Sequence, residues 1–196
     1  MFPTIIGVVC YCRGWLKWLS PIFLWIKGDD YMKVMSFDQS TRVSGWSLFK
    51  DGEYACSGVI DMEKSKLPTS ERSFEMAKRL WTILREYKPD HLVIEETQQQ
   101  SNVKTVIILA RLQGMIIGYA EAHKIKVHIV APSQWRAQLD YQQGPKVKRA
   151  ELKQQSEDYV KEHYGFTLSE DENEALCINA AAHKLFKFAE DDIWGE

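Results

Sequence analysis

The hydrophobic period of this chain changes part-way along, and that change restricts the folds open to it more than any other feature. Between residues 33 and 60 apolar side chains come in short runs separated by polar turns. Residues 33–38, 43–49 and 54–60 each read as a strand; Gly45 permits a close approach, and Asp51-Gly52 suits a type I′ hairpin turn. From Ser70 the spacing becomes helical. Ser70 is the expected N-cap of a helix with Phe74, Ala77, Leu80, Trp81 and Leu84 on one face, stopping before Pro89. Leu92-Val93-Ile94 has the continuous apolar character of a central parallel strand. Ser101 or Asn102 opens a second helix through Val106, Ile107, Leu112 and Ile116, and residues 127–130 form a fifth strand. A helical turn at Pro132, a basic Gly- and Pro-containing loop over 142–148, and helices over about 149–163 and 172–189 complete the order. Three strands joined by tight turns make a meander, and right-handed crossovers then add parallel strands. The expected fold is α/β: a mixed five-stranded sheet, three antiparallel strands then two parallel, with helices on both faces.

Acidic residues stand at the ends of these elements. Asp38 closes the first apolar strand and Glu95 the fourth, while Asp171 and Glu174 lie three apart where a helix begins. An acid abutting a buried strand is costly unless it is hydrogen-bonded or bound to a cation. A bare carboxylate cluster suits hard, oxygen-liking ions, Mg²⁺ or Mn²⁺. Two such ions can activate a water and stabilise the leaving oxygen of a phosphodiester without a nucleophilic Ser or Cys. Each acid also has a plainer role open to it. Asp38 could form a turn, Asp171 and Glu174 could cap their helix, and Glu96 competes with Glu95, since strand alternation lets only one of them face Asp38's way.

Residues 1–31 read differently from the rest. The stretch 5–26 is hydrophobic and Trp-rich, but Arg13 and Lys17 interrupt it, which suits neither a membrane span nor a signal peptide. Lys27-Gly28-Asp29 can be encoded by a sequence containing a bacterial ribosome-binding site, and Met32 follows at a suitable distance. The expectation is an upstream extension over 1–31, with translation starting at Met32, and one domain over 32–196; a membrane-associating segment is the alternative. With 45% apolar content and a net charge of −2 the chain can build one core and is not a bulk-basic nucleic-acid binder, so any nucleic-acid contact needs locally gathered basic residues. Cys10-x-Cys12 lacks a matching second pair, so reduced thiols in a cytosolic protein are expected rather than a zinc site.

The segment 35–46, an Asp followed by a small polar turn and a Gly-aromatic strand, resembles the opening of RuvC-type Holliday junction resolvases. Val93-Ile94-Glu95 is similar to that family's second acidic segment, and the run from Asp171 to Leu176 is similar to its last. Gln134-Trp135-Arg136 and the loop ending in Lys148 lie where the family has basic residues facing the junction. The resemblance implies a ribonuclease H-like fold, with the first strand central and the fourth beside it. It implies a homodimeric, Mg²⁺-dependent endonuclease that nicks four-way DNA junctions in pairs and uses no small-molecule cofactor. By position, Asp38, Glu95, Asp171 and Glu174 would hold two metal ions, with Mn²⁺ a possible substitute. Lys148 would stand near the scissile phosphate, with Lys146 the alternative. Arg42, Gln98, Gln99, Arg136, Lys146, Lys148 and Arg149 would contact DNA. Two departures stand out: Glu174 replaces the family's usual Asp, and Thr97-Gln98-Gln99-Gln100 replaces an aromatic, as in divergent members carried by bacteriophages.

The basic cluster Lys146, Lys148, Arg149 and Lys153 reads either as a phosphate contact or as a solvated face beside Glu151 and Glu157. The apolar helix over 103–120 could supply a dimer contact or pack on its own sheet, and His163 and His183 read as ordinary helical residues. Other readings are an actin-like ATP-binding domain, disfavoured because the chain shows no internal repeat, a related nuclease acting on flaps or RNA–DNA hybrids, and a DNA-binding module without catalysis.

Overall fold

A computed structural model describes residues 31–98 and 102–188. The expectations for residues 1–30, Gln99 and Ala189 lie outside the described residues. The elements run β1 (Lys33–Asp38), β2 (Val43–Lys50), β3 (Glu53–Asp61), α1 (Thr69–Tyr87), β4 (His91–Glu95), α2 (Val103–Ala122), β5 (Lys126–Val130), α3 (Pro132–Gln138), α4 (Arg149–Tyr164) and α5 (Glu170–Leu185). The sheet order is β3-β2-β1-β4-β5: β1 pairs antiparallel with β2 and parallel with β4, which pairs parallel with β5. This is the expected mixed α/β sheet. Asp51 and Gly52, both at positive φ, close the β2–β3 hairpin.

Strand alternation divides the sheet into two unlike faces. Met35, Phe37, Trp46, Leu48, Leu92 and Ile94 pack against Met76, Leu80, Ile83 and Leu84 of α1 and Leu112 and Ile116 of α2. On the other face Val34, Phe49, Val93 and Val130 meet Trp135 of α3, Val160 of α4 and the Leu176–Ala182 stretch of α5. That second face also carries a row of buried serines, Ser36 opposite Ser47 and Ser47 opposite Ser57. Their small side chains let α5 lie directly on the sheet. The Ser36 hydroxyl donates to the Ala175 carbonyl at 2.6 Å and sits 2.7 Å from the Ser47 hydroxyl. The Asn179 amide donates to the Val34 carbonyl at 3.0 Å and to the Ser47 hydroxyl at 3.2 Å.

Three local expectations change. Helix α1 starts at Thr69 after Pro68, and Lys88 closes it in the left-handed region. Phe74 is 54% exposed, because the buried stripe runs through Ser73, Met76, Ala77, Leu80, Ile83 and Leu84 and the next residue after Ser73 turns off it. Helix α5 starts at Glu170, not Glu172, because Ser169 is its cap and the Glu172 carboxylate accepts the Ser169 N–H. Among the described residues α2 alone is long and apolar enough to cross a membrane; here it packs on α1 and β5.

Candidate active site

The site forms where β1 and β4 end. The parallel register aligns Ser36 with Val93 and Phe37 with Ile94, so the next residue of each strand is Asp38 and Glu95. Alternation turns both toward α5, on the side of Ser36 and Val93. Glu95, not the exposed Glu96, therefore shares Asp38's side of the sheet. The other two acids enter from above. Gly45 stands opposite Asp38 on β2, and the first turn of α5 rests on it: a Cβ there would lie 1.9 Å from the Asp171 carbonyl oxygen. Because Glu172 takes the capping hydrogen bond and also accepts from the Ser57 hydroxyl, Asp171 and Glu174 are not needed as caps.

All four acids feel one another or a common neighbour. Burial holds the Asp38 carboxyl well above the usual carboxylate range, and the charges of Glu174, Glu95 and Asp171 push it further. Glu174 is raised by burial and then by Glu95. Glu95 and Asp171 are raised chiefly by burial. Arg149, at the start of α4, opposes the rise in all four. Lys153 opposes it in Asp171 and Glu174 and also pairs with Glu170.

Helix α3 completes the site. The buried Trp135 indole N–H donates to Glu95 Oε2 at 2.7 Å. The Arg136 guanidinium lies over the Trp135 ring, 4.8 Å from its centroid. One of its nitrogens stands 4.0 Å from Glu95 Oε2 and 3.9 Å from Glu174 Oε1. The Glu95 backbone carbonyl accepts from the amides of both Gln39 and Gln113, and the Thr97 hydroxyl holds the Gln113 side chain. Sequence reading placed Arg136 on the DNA side and missed Trp135, Gln39 and Gln113. Only their adjacency to the acidic segments hinted at them, because which way a helical Trp or a turn Gln points depends on how α3 and β1 meet in space.

The remaining sequence-derived residues lie around this centre. Arg42 is exposed in the β1–β2 turn and Gln98 is exposed after β4. Lys146 and Lys148 are exposed in the loop before α4, where Lys148 is the cap residue. Among the described residues no three His, Cys, Asp or Glu side chains close into a ready-made ion cage. The donor chemistry, carboxylate oxygens without thiol or imidazole, nonetheless fits a hard dication rather than zinc.

Residues 34–154 match the family model for crossover junction endodeoxyribonuclease RuvC. The chain belongs to the RuvC family. Among curated members, the RuvC of Dictyoglomus turgidum is 30% identical over 107 residues, covering 52% of this chain and 66% of its own. That of Syntrophomonas wolfei is 30% identical over 106 residues, covering 53% of this chain and 62% of its own. The chain thus spans somewhat less than two thirds of these relatives. A solved structure of T. thermophilus RuvC in complex with Holliday junction substrate superposes with a TM-score of 0.63 at 15% identity, covering 79% of this chain and 96% of that one. This likeness places the chain in the ribonuclease H-like fold. Asp38, Glu95, Arg136, Lys148 and Arg149 fall inside the matched RuvC segment, whereas Asp171 and Glu174 lie beyond it.

Proposed function

We propose that this RuvC-family chain is a structure-selective DNA endonuclease that resolves four-way junctions by paired, metal-dependent phosphodiester hydrolysis. The observation that carries the reading is the gathering of Asp38, Glu95, Asp171 and Glu174 from β1, β4 and α5 on one side of the sheet, where the buried Asp38 carboxyl is repelled by the other three. The family membership and the junction-bound relative support the same substrate class.

These four carboxylates would hold two Mg²⁺ ions, with Mn²⁺ as a substitute. When bound, the ions would lower the pKa of the attacking water and shield the phosphate charge. The protein's own part is positioning. Trp135 fixes one oxygen of Glu95, and Gln39 and Gln113 hold its backbone. Lys148 and Arg149, with Arg42, Gln98, Gln99, Arg136 and Lys146, would meet backbone phosphates around the cut. Contacts of that kind make binding salt-dependent. No small-molecule cofactor is needed, and the work belongs in the cytoplasm, beside DNA.

Symmetric cutting requires two sites related by a twofold axis. Helix α2 is suited to that contact. Ala110, Gly114 and Gly118 line its exposed side at four-residue spacing, and a Cβ at either glycine would meet nothing within 4 Å. Val103 and Ile107 are 66% and 44% exposed near its start. A second α2 could approach closely across such a surface.

The test is incubation of the protein with four-way junction, flap, RNA–DNA hybrid and duplex substrates in Mg²⁺ or Mn²⁺. Symmetric, ligatable nicks in the junction are expected. Cutting confined to flaps or hybrids would reassign the substrate, and junction binding without cutting would remove catalysis.

A further inference from the structure

Arg136 is in an unusual place for a DNA-contacting residue. Its side chain is 17% exposed, and its guanidinium stands 4.0 Å from Glu95 and 3.9 Å from Glu174. Neither approach is short enough for a hydrogen bond. Its Nε is buried and finds no partner among the described residues. The group is therefore held by two unbonded charge attractions and by the face of Trp135, from the element that also anchors Glu95. An arginine cannot shed its charge to relieve crowding. A second cation brought to the same two carboxylates must repel it or displace it.

We propose that Arg136 is a built-in competitor for the divalent ion: its guanidinium and the metal share Glu95 and Glu174, and metal entry drives the side chain out of the cluster. This rests on the metal-dependent reading above. The geometry favours exchange, since a guanidinium bonded bidentately to either carboxylate would leave only by losing two directed hydrogen bonds. Here none has to break. The competition raises the ion concentration needed to fill the site and keeps the acids partly neutralised below it.

Mn²⁺ binding to the whole protein, counted by electron paramagnetic resonance of the free ion, tests this without any cleavage assay. Arg136→Ala and Arg136→Gln are expected to bind Mn²⁺ more tightly, by on the order of tenfold. Both should lower Tm in EDTA and gain more than the wild type when Mn²⁺ is added. Equal or weaker Mn²⁺ binding in both variants, with the wild type binding normally, overturns the competition and leaves the nuclease reading intact. Failure of wild type and variants alike to bind Mn²⁺, with Asp38→Asn indistinguishable from them, overturns both.

Discussion

The two faces of the sheet are made by the same strands and hold their helices by different means. Toward α1 and α2, Met35, Phe37, Trp46, Leu92 and Ile94 give an unbroken apolar surface. Toward α5, the alternate residues are Val34, Ser36, Asp38, Ser47 and Glu95, and directed hydrogen bonds fix the helix at set points. Apolar contact is non-directional and tolerates small shifts. Hydrogen bonds to Ala175 and from Asn179 do not, and they set where Asp171 and Glu174 stand relative to Asp38 and Glu95. Both faces bury an apolar core, and the α5 face adds directed hydrogen bonds that fix where its helix lies.

The contrast breaks if substitutions on the two faces behave alike. Leu80→Ala on α1 empties a fully buried site; it should cost about 3 kcal/mol, roughly 6–12 °C in Tm. At temperatures where it stays folded, its junction cleavage rate should match the wild type within about twofold. A large loss of rate at full folding would show that the dry face also places the acids. Gly45→Ala forces a Cβ against the Asp171 carbonyl. It should cost about 1–3 kcal/mol, yet reduce cleavage far more than Leu80→Ala does, as followed by single-turnover kinetics beside thermal melts. Asn179→Ala removes donors to Val34 and Ser47; about 1–2 kcal/mol is expected, with a matching fall in rate.

The smallest expected effect has the opposite sign. Because the native carboxyls of Asp38, Glu95, Asp171 and Glu174 are raised, the folded state binds protons more tightly than the unfolded one. Their contribution to stability is fully present below the ordinary carboxylate range and is lost as pH rises through the raised values. In EDTA, Asp38→Asn should therefore melt slightly higher than the wild type near neutral pH and show a weaker decline as pH rises above the ordinary carboxylate range. The same variant should lose cleavage by about 10³-fold, while junction binding in a shift assay persists. A lower Tm for Asp38→Asn at neutral pH would mean that the acids are not in conflict.

Much of this was legible in the chain. The meander, the crossovers and the acid-ended strands follow from periods and turn residues that act over a few positions, and the Asp38–Glu95 pairing follows from topology and alternation. Legibility failed where a property depended on two distant elements meeting. Gly45 reads as a close-approach residue, but nothing local says that the Asp171 carbonyl is what approaches. Phe74 satisfies a helical stripe on paper, but the sheet underneath sets the stripe's centre and leaves it exposed. Trp135 and Arg136 sit on a helix of seven residues, too short for a period to show its orientation. By sequence Asp171 and Glu174 suit the cap role as well as Glu172 does, and only the fold gives that role to Glu172.

Helix α5 is the last described element, yet it lies across β1 and β2 near the middle of the sheet and brings two of the four acids. A ribosome would have threaded out the basic loop, α2 and both strand-end acids well before that helix emerged. Under the proposed reading, an unfinished polypeptide that lacks α5 would carry Asp38 and Glu95 without Asp171 and Glu174, so the set of carboxylates that would hold the ions is completed only when that helix is made.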